Sequence, residues 1–138
     1  MGGGNAGAGY SGTPLIKKLG IKPGMRVALL RMPAGVARQL TPWPEGATKC
    51  TALAPELHYV HYFAESVADL RQTMPELKSA LRKDGMLWIS WRKGLVDTDL
   101  GENMVREIAL KIGLVDVKVC SVDEAWSGLK LVYRLKDR

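Results

Sequence analysis

Cysteine is scarce in this chain of 138 residues: only Cys50 and Cys120 are present, far apart and outside any Cys-x-x-Cys spacing. A disulfide framework is therefore not what holds the fold together, and both residues are expected to remain reduced thiols, at least one of them buried. Long apolar runs are missing too. None approaches the roughly 20 residues of a spanning helix, so no membrane protein is indicated. The opening stretch from Met1 to Gly9 has neither the basic region nor the apolar core of a secretory signal, and a cytoplasmic location is expected. There are no internal repeats, and no Ser, Cys or Thr sits in a nucleophile setting such as Gly-x-Ser-x-Gly.

Acidic residues are the minority charge, 14 against 20 lysines and arginines, for a formal net charge of +6. That balance admits anionic small molecules, a protein partner or nucleic acid. However, Lys17, Lys18, Lys22, Arg26, Arg38, Arg82, Lys83, Lys111 and Lys130 are spread over every expected element rather than stacked on one helix. A generally solvated basic surface is the expectation, and nucleic acid is not the expected partner. Hydrophobic residues at 46% and charged residues at 25% are ordinary globular usage, so residues 10–138 are expected to form one domain behind a flexible glycine-rich tail, residues 1–9.

The stretch that organises the rest is Gly85 to Lys93, Gly-Met-Leu-Trp-Ile-Ser-Trp-Arg-Lys, too short to span a membrane and apolar enough to be covered on both faces. It reads as a central strand. Before it, Val67, Leu70, Met74, Leu77 and Leu81 recur at helical spacing between Ser66 and Lys83, interrupted by Pro75, which should kink or restart the helix. Ser66 and Asp69 have capping-box spacing, and Asp84-Gly85 should close the helix. Earlier still lies the apolar run Leu57 to Phe63, so the unit is strand, helix, strand, which calls for a parallel pair.

The remaining elements follow from punctuation. Thr13-Pro14 starts a short helix with Leu15, Ile16 and Leu19 on its apolar face, and Ile21-Lys22-Pro23-Gly24 has the proline-glycine order of a type II turn. Met25 to Arg31 is the first strand, Val36 to Leu40 a helical turn, and Lys49 to Leu53 a weak strand near a sheet edge. Asp97 or Thr98 should cap a helix whose Leu100, Met104, Val105, Ile108, Ala109 and Ile112 share a face. Val115, Val117 and Val119 alternate with polar residues in the next strand. Leu129, Leu131, Tyr133 and Leu135 alternate in the last, joined to it through Ser121–Ser127, too short for a helical crossover, so the last strand should be antiparallel.

Several constellations that resemble sites have simpler readings. Gly7-Ala8-Gly9-Tyr10-Ser11-Gly12 matches Gly-x-Gly-x-x-Gly, but no strand delivers it, so phosphate binding there is not expected. His58 and His61 point to opposite faces of a strand, which argues against a shared metal. Asp97, Asp99 and Glu102 crowd a helix start, where capping and the helix dipole account for them. Trp126 and Trp43 fall in loops; Trp126 can close the last hairpin over the core, and Trp43, between two prolines, is a candidate partner anchor.

Parallel strands with crossover helices and an antiparallel final strand resemble a shortened class I methyltransferase-like, Rossmann-like α/β architecture. That resemblance implies three layers and a strand order of 1-4-5-7-6 in the architecture's own numbering, with an extra edge strand beside the first. The segments Tyr10-Ser11-Gly12-Thr13-Pro14-Leu15, Lys18-Leu19-Gly20-Ile21-Lys22-Pro23-Gly24, Leu87-Trp88-Ile89-Ser90-Trp91 and Glu124-Ala125-Trp126-Ser127-Gly128-Leu129-Lys130 are similar to an uncharacterised family of small bacterial proteins, a domain of unknown function. Against the methyltransferase pattern, the turn after the first strand, Arg31-Met32-Pro33-Ala34-Gly35, has one glycine and a proline. Glu56 is the available acid after the second strand. These departures lead to the expectation of a noncatalytic binding or interaction protein on a degenerate scaffold, with no cofactor. The alternative is a small S-adenosylmethionine-dependent methyltransferase. In either case a ligand belongs outside the carboxyl ends of the strands, where Arg31, Gly35, Trp91, Arg92 and Lys93 are the candidates, the cations for an anion and Trp91 for a ring.

Overall fold

The computed structural model describes residues 13–95 and 98–138, so the glycine-rich opening, the 7–12 motif and Asp97 lie outside the described residues. Six strands form one sheet: β1 (Arg26–Leu30), β2 (Thr48–Cys50), β3 (Leu57–Phe63), β4 (Leu81–Arg92), β5 (Leu114–Ser121) and β6 (Trp126–Tyr133). Their order across the sheet is β2-β1-β3-β4-β6-β5. Strands β1 to β4 run parallel, and β6 runs antiparallel to both β4 and β5. This is the mostly parallel sheet with a reversed final strand that the element order implies.

The pleat sends alternate side chains to two separate cores. Val60 and Tyr62 of β3 join Leu87, Ile89 and Trp91 of β4 under α3 (Val67–Ala80) and α4 (Glu102–Lys111). Tyr59 and Phe63 join Trp88 under α1 (Leu15–Leu19) and α2 (Ala34–Ala37). Three layers result. Trp88 is fully buried, and its Nε1–H donates to the Leu19 carbonyl at 2.8 Å, tying the end of α1 to the sheet centre. Gly20 ends α1 in the left-handed region at φ 88°, and Gly24, at φ 78°, serves the turn in which Met25 N–H donates to Lys22 O.

Several boundaries differ from the sequence expectation. Helix α3 stops at Ala80, and β4 begins at Leu81, which is buried and pairs with Leu57 before a register shift. Gly85 is therefore no helix stop: a Cβ there would lie 3.0 Å from the carbonyl oxygens of Leu57 and His58, so the irregular pairing itself requires glycine. Pro75 does not break α3, because it lies on the exposed side, where water can reach the carbonyl it leaves unbonded. Helix α1 starts one residue later than expected, with Pro14 in the cap position. Helix α4 is preceded by Gly101 rather than capped by Thr98. In β5 a register shift between Asp116 and Lys118 breaks the alternation and leaves Val117 and Val119 exposed at the sheet edge. Trp126 lies in β6, not in a loop, and both cysteines are free and half-buried.

Candidate functional site

Because β1, β3 and β4 are parallel, their carboxyl ends meet at one edge of the sheet, and β6 starts there beside the end of β4. The chain crosses from β1 to β2 on one side and continues through β3 to β4 on the other, so the strand order reverses beside β1. Open sheets bind ligands above such a point. A cleft of about 370 Å³ lies at that edge, lined by Arg31, Phe63, Ala64, Glu65, Arg92, Thr98 and Trp126.

Arg31 follows β1 with φ 60°, a left-handed backbone that an arginine adopts only when its surroundings hold it there. They do so through Asp69. The Arg31 guanidinium donates to Asp69 Oδ2 at 2.8 Å and lies over the Tyr62 ring at 5.0 Å, and the bond to Asp69 raises its pKa further. Asp69 also accepts from the Tyr62 hydroxyl at 2.6 Å and from the Glu65 amide at 2.9 Å. Burial pulls its carboxyl up, but these three donors outweigh it and hold the group below the ordinary range. The expected cap is present, since Asp69 N–H donates to Ser66 Oγ at 3.0 Å; the carboxylate, however, serves Glu65 and Arg31 instead of closing the box on Ser66. Asp99 accepts the Val67 amide at 2.8 Å, so it caps α3 rather than α4.

The opposite wall is aromatic. Trp126 pairs with Arg92 across β6 and β4, and the Arg92 guanidinium stacks over its ring at 5.0 Å. Trp126 in turn meets Phe63 edge-on at 5.0 Å, and Phe63 stacks on His61 at 4.6 Å. His61 is fully buried between Ser90 Oγ at 2.7 Å and the Tyr59 hydroxyl at 2.9 Å. Burial lowers its pKa to about 3, so it stays neutral and fixes the floor rather than titrating in the cleft. Its neighbour His58 faces elsewhere, accepting the Arg26 amide on Nδ1 at 2.9 Å.

Of the residues singled out from the sequence, Arg31 and Arg92 come together in the cleft. Trp91 does not line it, being buried in the core under α3 and α4. Lys93 turns toward β5, its Nζ donating to Ser121 Oγ at 2.6 Å. Gly35 is exposed on α2, and a Cβ there would meet only the Arg38 guanidinium, at 3.9 Å. Trp43 is half-buried against the α1 and α2 core, with Nε1–H on the Ala47 carbonyl at 2.8 Å and Lys49 over its ring at 4.7 Å. Sequence reasoning missed Asp69 as the partner of Arg31, 38 residues away, and saw in it only a cap. It also set Trp126 in a loop, because Trp126 lies on the strand face opposite the Leu129, Leu131 and Tyr133 series that marked the last strand.

The cleft suits the methyl donor of the resembling architecture in chemical type. Arg31 and Arg92 can receive a carboxylate, Glu65 can receive hydroxyls or an ammonium group, and Trp126, backed by the buried Phe63, offers a ring to a purine. The positions differ from the family pattern. Glu56 is at the amino end of β3, its carboxylate 3.9 Å from Arg82, on the far edge of the sheet from the cleft. Pro33 stands in the cap position of α2 and offers no amide.

No family model matches the sequence, and no curated protein matches it. Solved structures do. An S-adenosylmethionine-dependent methyltransferase from Aquifex aeolicus aligns with a TM-score of 0.61 at 15% identity, over 85% of this chain and 86% of that one. Magnesium protoporphyrin IX methyltransferase from Synechocystis PCC 6803, with bound SAH, aligns at 0.59 and 12%, over 87% and 78%. A TehB-like SAM-dependent methyltransferase from Corynebacterium glutamicum aligns at 0.56 and 15%, over 87% and 85%. The chain thus has the class I methyltransferase fold. The expectation of a noncatalytic binding protein on a degenerate scaffold is corrected by these neighbours, which are enzymes of one cofactor class and favour the alternative. The missing glycines weighed too much in that expectation, because the groups that line the cleft are side chains at the ends of β1, β3, β4 and β6 rather than backbone amides of one glycine-rich turn.

Proposed function

We propose that this chain is a small S-adenosylmethionine-dependent methyltransferase whose cofactor cleft lies over the carboxyl ends of β1, β3 and β4. The observation that carries the reading is the cleft itself. It sits beside the reversal of strand order and combines two guanidiniums, a carboxylate and two aromatic rings. When bound, S-adenosylmethionine supplies an electrophilic sulfonium methyl group. The protein's part is to hold and orient. Arg31, fixed by Asp69, is the partner for a carboxylate; Glu65 serves hydroxyls or an ammonium; Trp126, supported by the buried Phe63, excludes water from one wall and offers stacking area.

The two free cysteines support a reducing compartment, which for a relative of the bacterial family it resembles would be the cytoplasm. Among the described residues no helix is long and apolar enough to cross a membrane. Calorimetric titration with S-adenosylmethionine and S-adenosylhomocysteine tests the proposal. Submillimolar binding of either, weakened at least about 10-fold by Arg31→Ala or Trp126→Ala, is expected. A parent protein that binds neither at millimolar concentration would end it.

A further inference from the structure

The cations that lie scattered along the sequence are not scattered in the fold. Leu129 and Leu131 of β6 point into the core under α3 and α4, so Lys130 between them points to the α1 side. Lys118 of β5 stands directly opposite Lys130 in the ladder and shares that face. Lys18 of α1 reaches the same region, its Nζ donating to the Ser121 carbonyl at 3.2 Å, and Lys93 donates to Ser121 Oγ at 2.6 Å. Lys22, in the turn after α1, is near enough to act on Lys130, whose pKa is lowered by burial and then by Lys118 and Lys22. Five lysines therefore converge around the β5–β6 hairpin. Among the described residues, the ion pairs engage Arg31, Arg82, Arg106, Lys111 and Arg134, and none of these five.

Like charges placed opposite each other on neighbouring strands cost stability. Asp123 and Glu124 lie in the same hairpin turn, but Asp123 is turned to the Ala125 and Trp126 amides, and a cluster whose lysines form no ion pair among the described residues and that includes such an opposed pair calls for negative charge from outside the chain. Lysine suits phosphates as a compact point charge on a flexible stem, whereas bidentate recognition would call for arginine. The face also continues into the cleft, since Lys93 follows Arg92, which stacks on Trp126 at the cleft wall. Single-stranded nucleic acid is bound elsewhere by this combination of a cationic track with aromatic platforms at its end.

We infer that Lys18, Lys22, Lys93, Lys118 and Lys130 form a binding face for the phosphodiester backbone of a single-stranded nucleic acid, leading to the Trp126 side of the cleft. The binding does not require a methyl donor, so it stands or falls separately from the enzymatic reading. Fluorescence anisotropy with labelled mixed-sequence 12-mers of RNA and of DNA, from 50 to 300 mM salt, tests it. The logarithm of affinity should fall with the logarithm of salt with a slope of about −3.5, near 0.7 for each phosphate that the five lysines contact. Lys118→Gln/Lys130→Gln should weaken binding by about 10-fold or more at 50 mM salt and flatten the slope by about 1.4. Arg71→Gln/Lys111→Gln removes the same charge from α3 and α4, on the other side of the sheet, and should change neither quantity. Preference for the RNA strand would assign RNA, and equal binding would assign the shared phosphodiester. Absence of binding at 50 mM salt, or equal weakening by the two double variants, would overturn the inference.

Discussion

At the scale of single residues, two side chains determine how the cleft is held. Asp69 gathers Arg31, the Tyr62 hydroxyl and the Glu65 amide on one carboxylate. Arg31 is 46% exposed, so the ion pair itself contributes under about 1 kcal/mol to stability. Its effect lies in aiming the guanidinium. Asp69→Asn should therefore leave the melting temperature within a few degrees of the parent while weakening S-adenosylhomocysteine binding several-fold in a titration; an unchanged affinity would mean that Arg31 is oriented by its backbone alone. His61 makes the second case. Folded, it titrates near about 3, against 6.5 for an ordinary histidine. Between those values the unfolded chain binds the extra proton, so this contribution is complete above 6.5 and is lost as pH falls, by up to about 1.4 kcal/mol per unit. Urea unfolding at pH 7 and pH 5 should show a steeper loss for the parent than for His61→Gln. Parallel losses in the two proteins would show that His61 already carries its proton in the folded state.

At the scale of elements, β4 bears most of the architecture. Trp88 is fully buried within it and bonded to Leu19, so Trp88→Ala removes a large core side chain together with the tie to α1, at a cost of about 3 to 5 kcal/mol. Lys93→Ala, beyond the strand end, should scarcely shift a thermal melt. Gly85→Ala should cost about 1 to 3 kcal/mol, because two of its three neighbours at 3.0 Å are the Leu57 and His58 carbonyl oxygens, which cannot rotate away. A melting temperature equal to the parent's would show that the Leu57–Leu81 irregularity relaxes. The strand core was legible in the sequence because a run covered on both faces has no polar alternation to confuse it. Its start was not, since Leu81 completes the apolar stripe of α3 and also pairs as the first strand residue; helical spacing alone cannot separate the two roles. The valines of β5 misled for a related reason. Their alternation is regular in sequence, but the register shift between Asp116 and Lys118 breaks it in the sheet, and Val117 and Val119 are left exposed at the edge. The candidate site was half legible: strand ends pointed to Arg31 and Arg92, whereas the Asp69 contact and the Trp126–Phe63 wall depend on which strands become neighbours.

At the scale of the whole molecule, charge is segregated by layer, which a formal net charge of +6 does not reveal. On the α3 and α4 side, Arg106 is held by Glu102 at 2.5 Å and Asp116 at 2.9 Å, Lys111 lies near Glu107 at 3.6 Å, and Arg31 has Asp69. On the α1 side, Lys18, Lys22, Lys93, Lys118 and Lys130 form no ion pair among the described residues. Self-repulsion in the folded state is thus concentrated around the Lys118–Lys130 pair, and ions screen exposed charges within a distance of roughly 10 Å at 0.1 M salt. The melting temperature of the parent should accordingly rise as sodium chloride is raised from low concentration toward 0.15 M. Lys118→Gln/Lys130→Gln removes the repulsion at its source, so it should melt above the parent at low salt and respond more weakly to added salt. Arg106→Gln should behave in the opposite sense, melting below the parent, since it breaks two attractive contacts and leaves Glu102 and Asp116 unpaired. Differential scanning fluorimetry of the three proteins over the same salt series decides between this picture and an evenly solvated basic surface. In the latter case the lysine variant would track the parent at every salt concentration, because the charges it removes would have no close neighbours to repel.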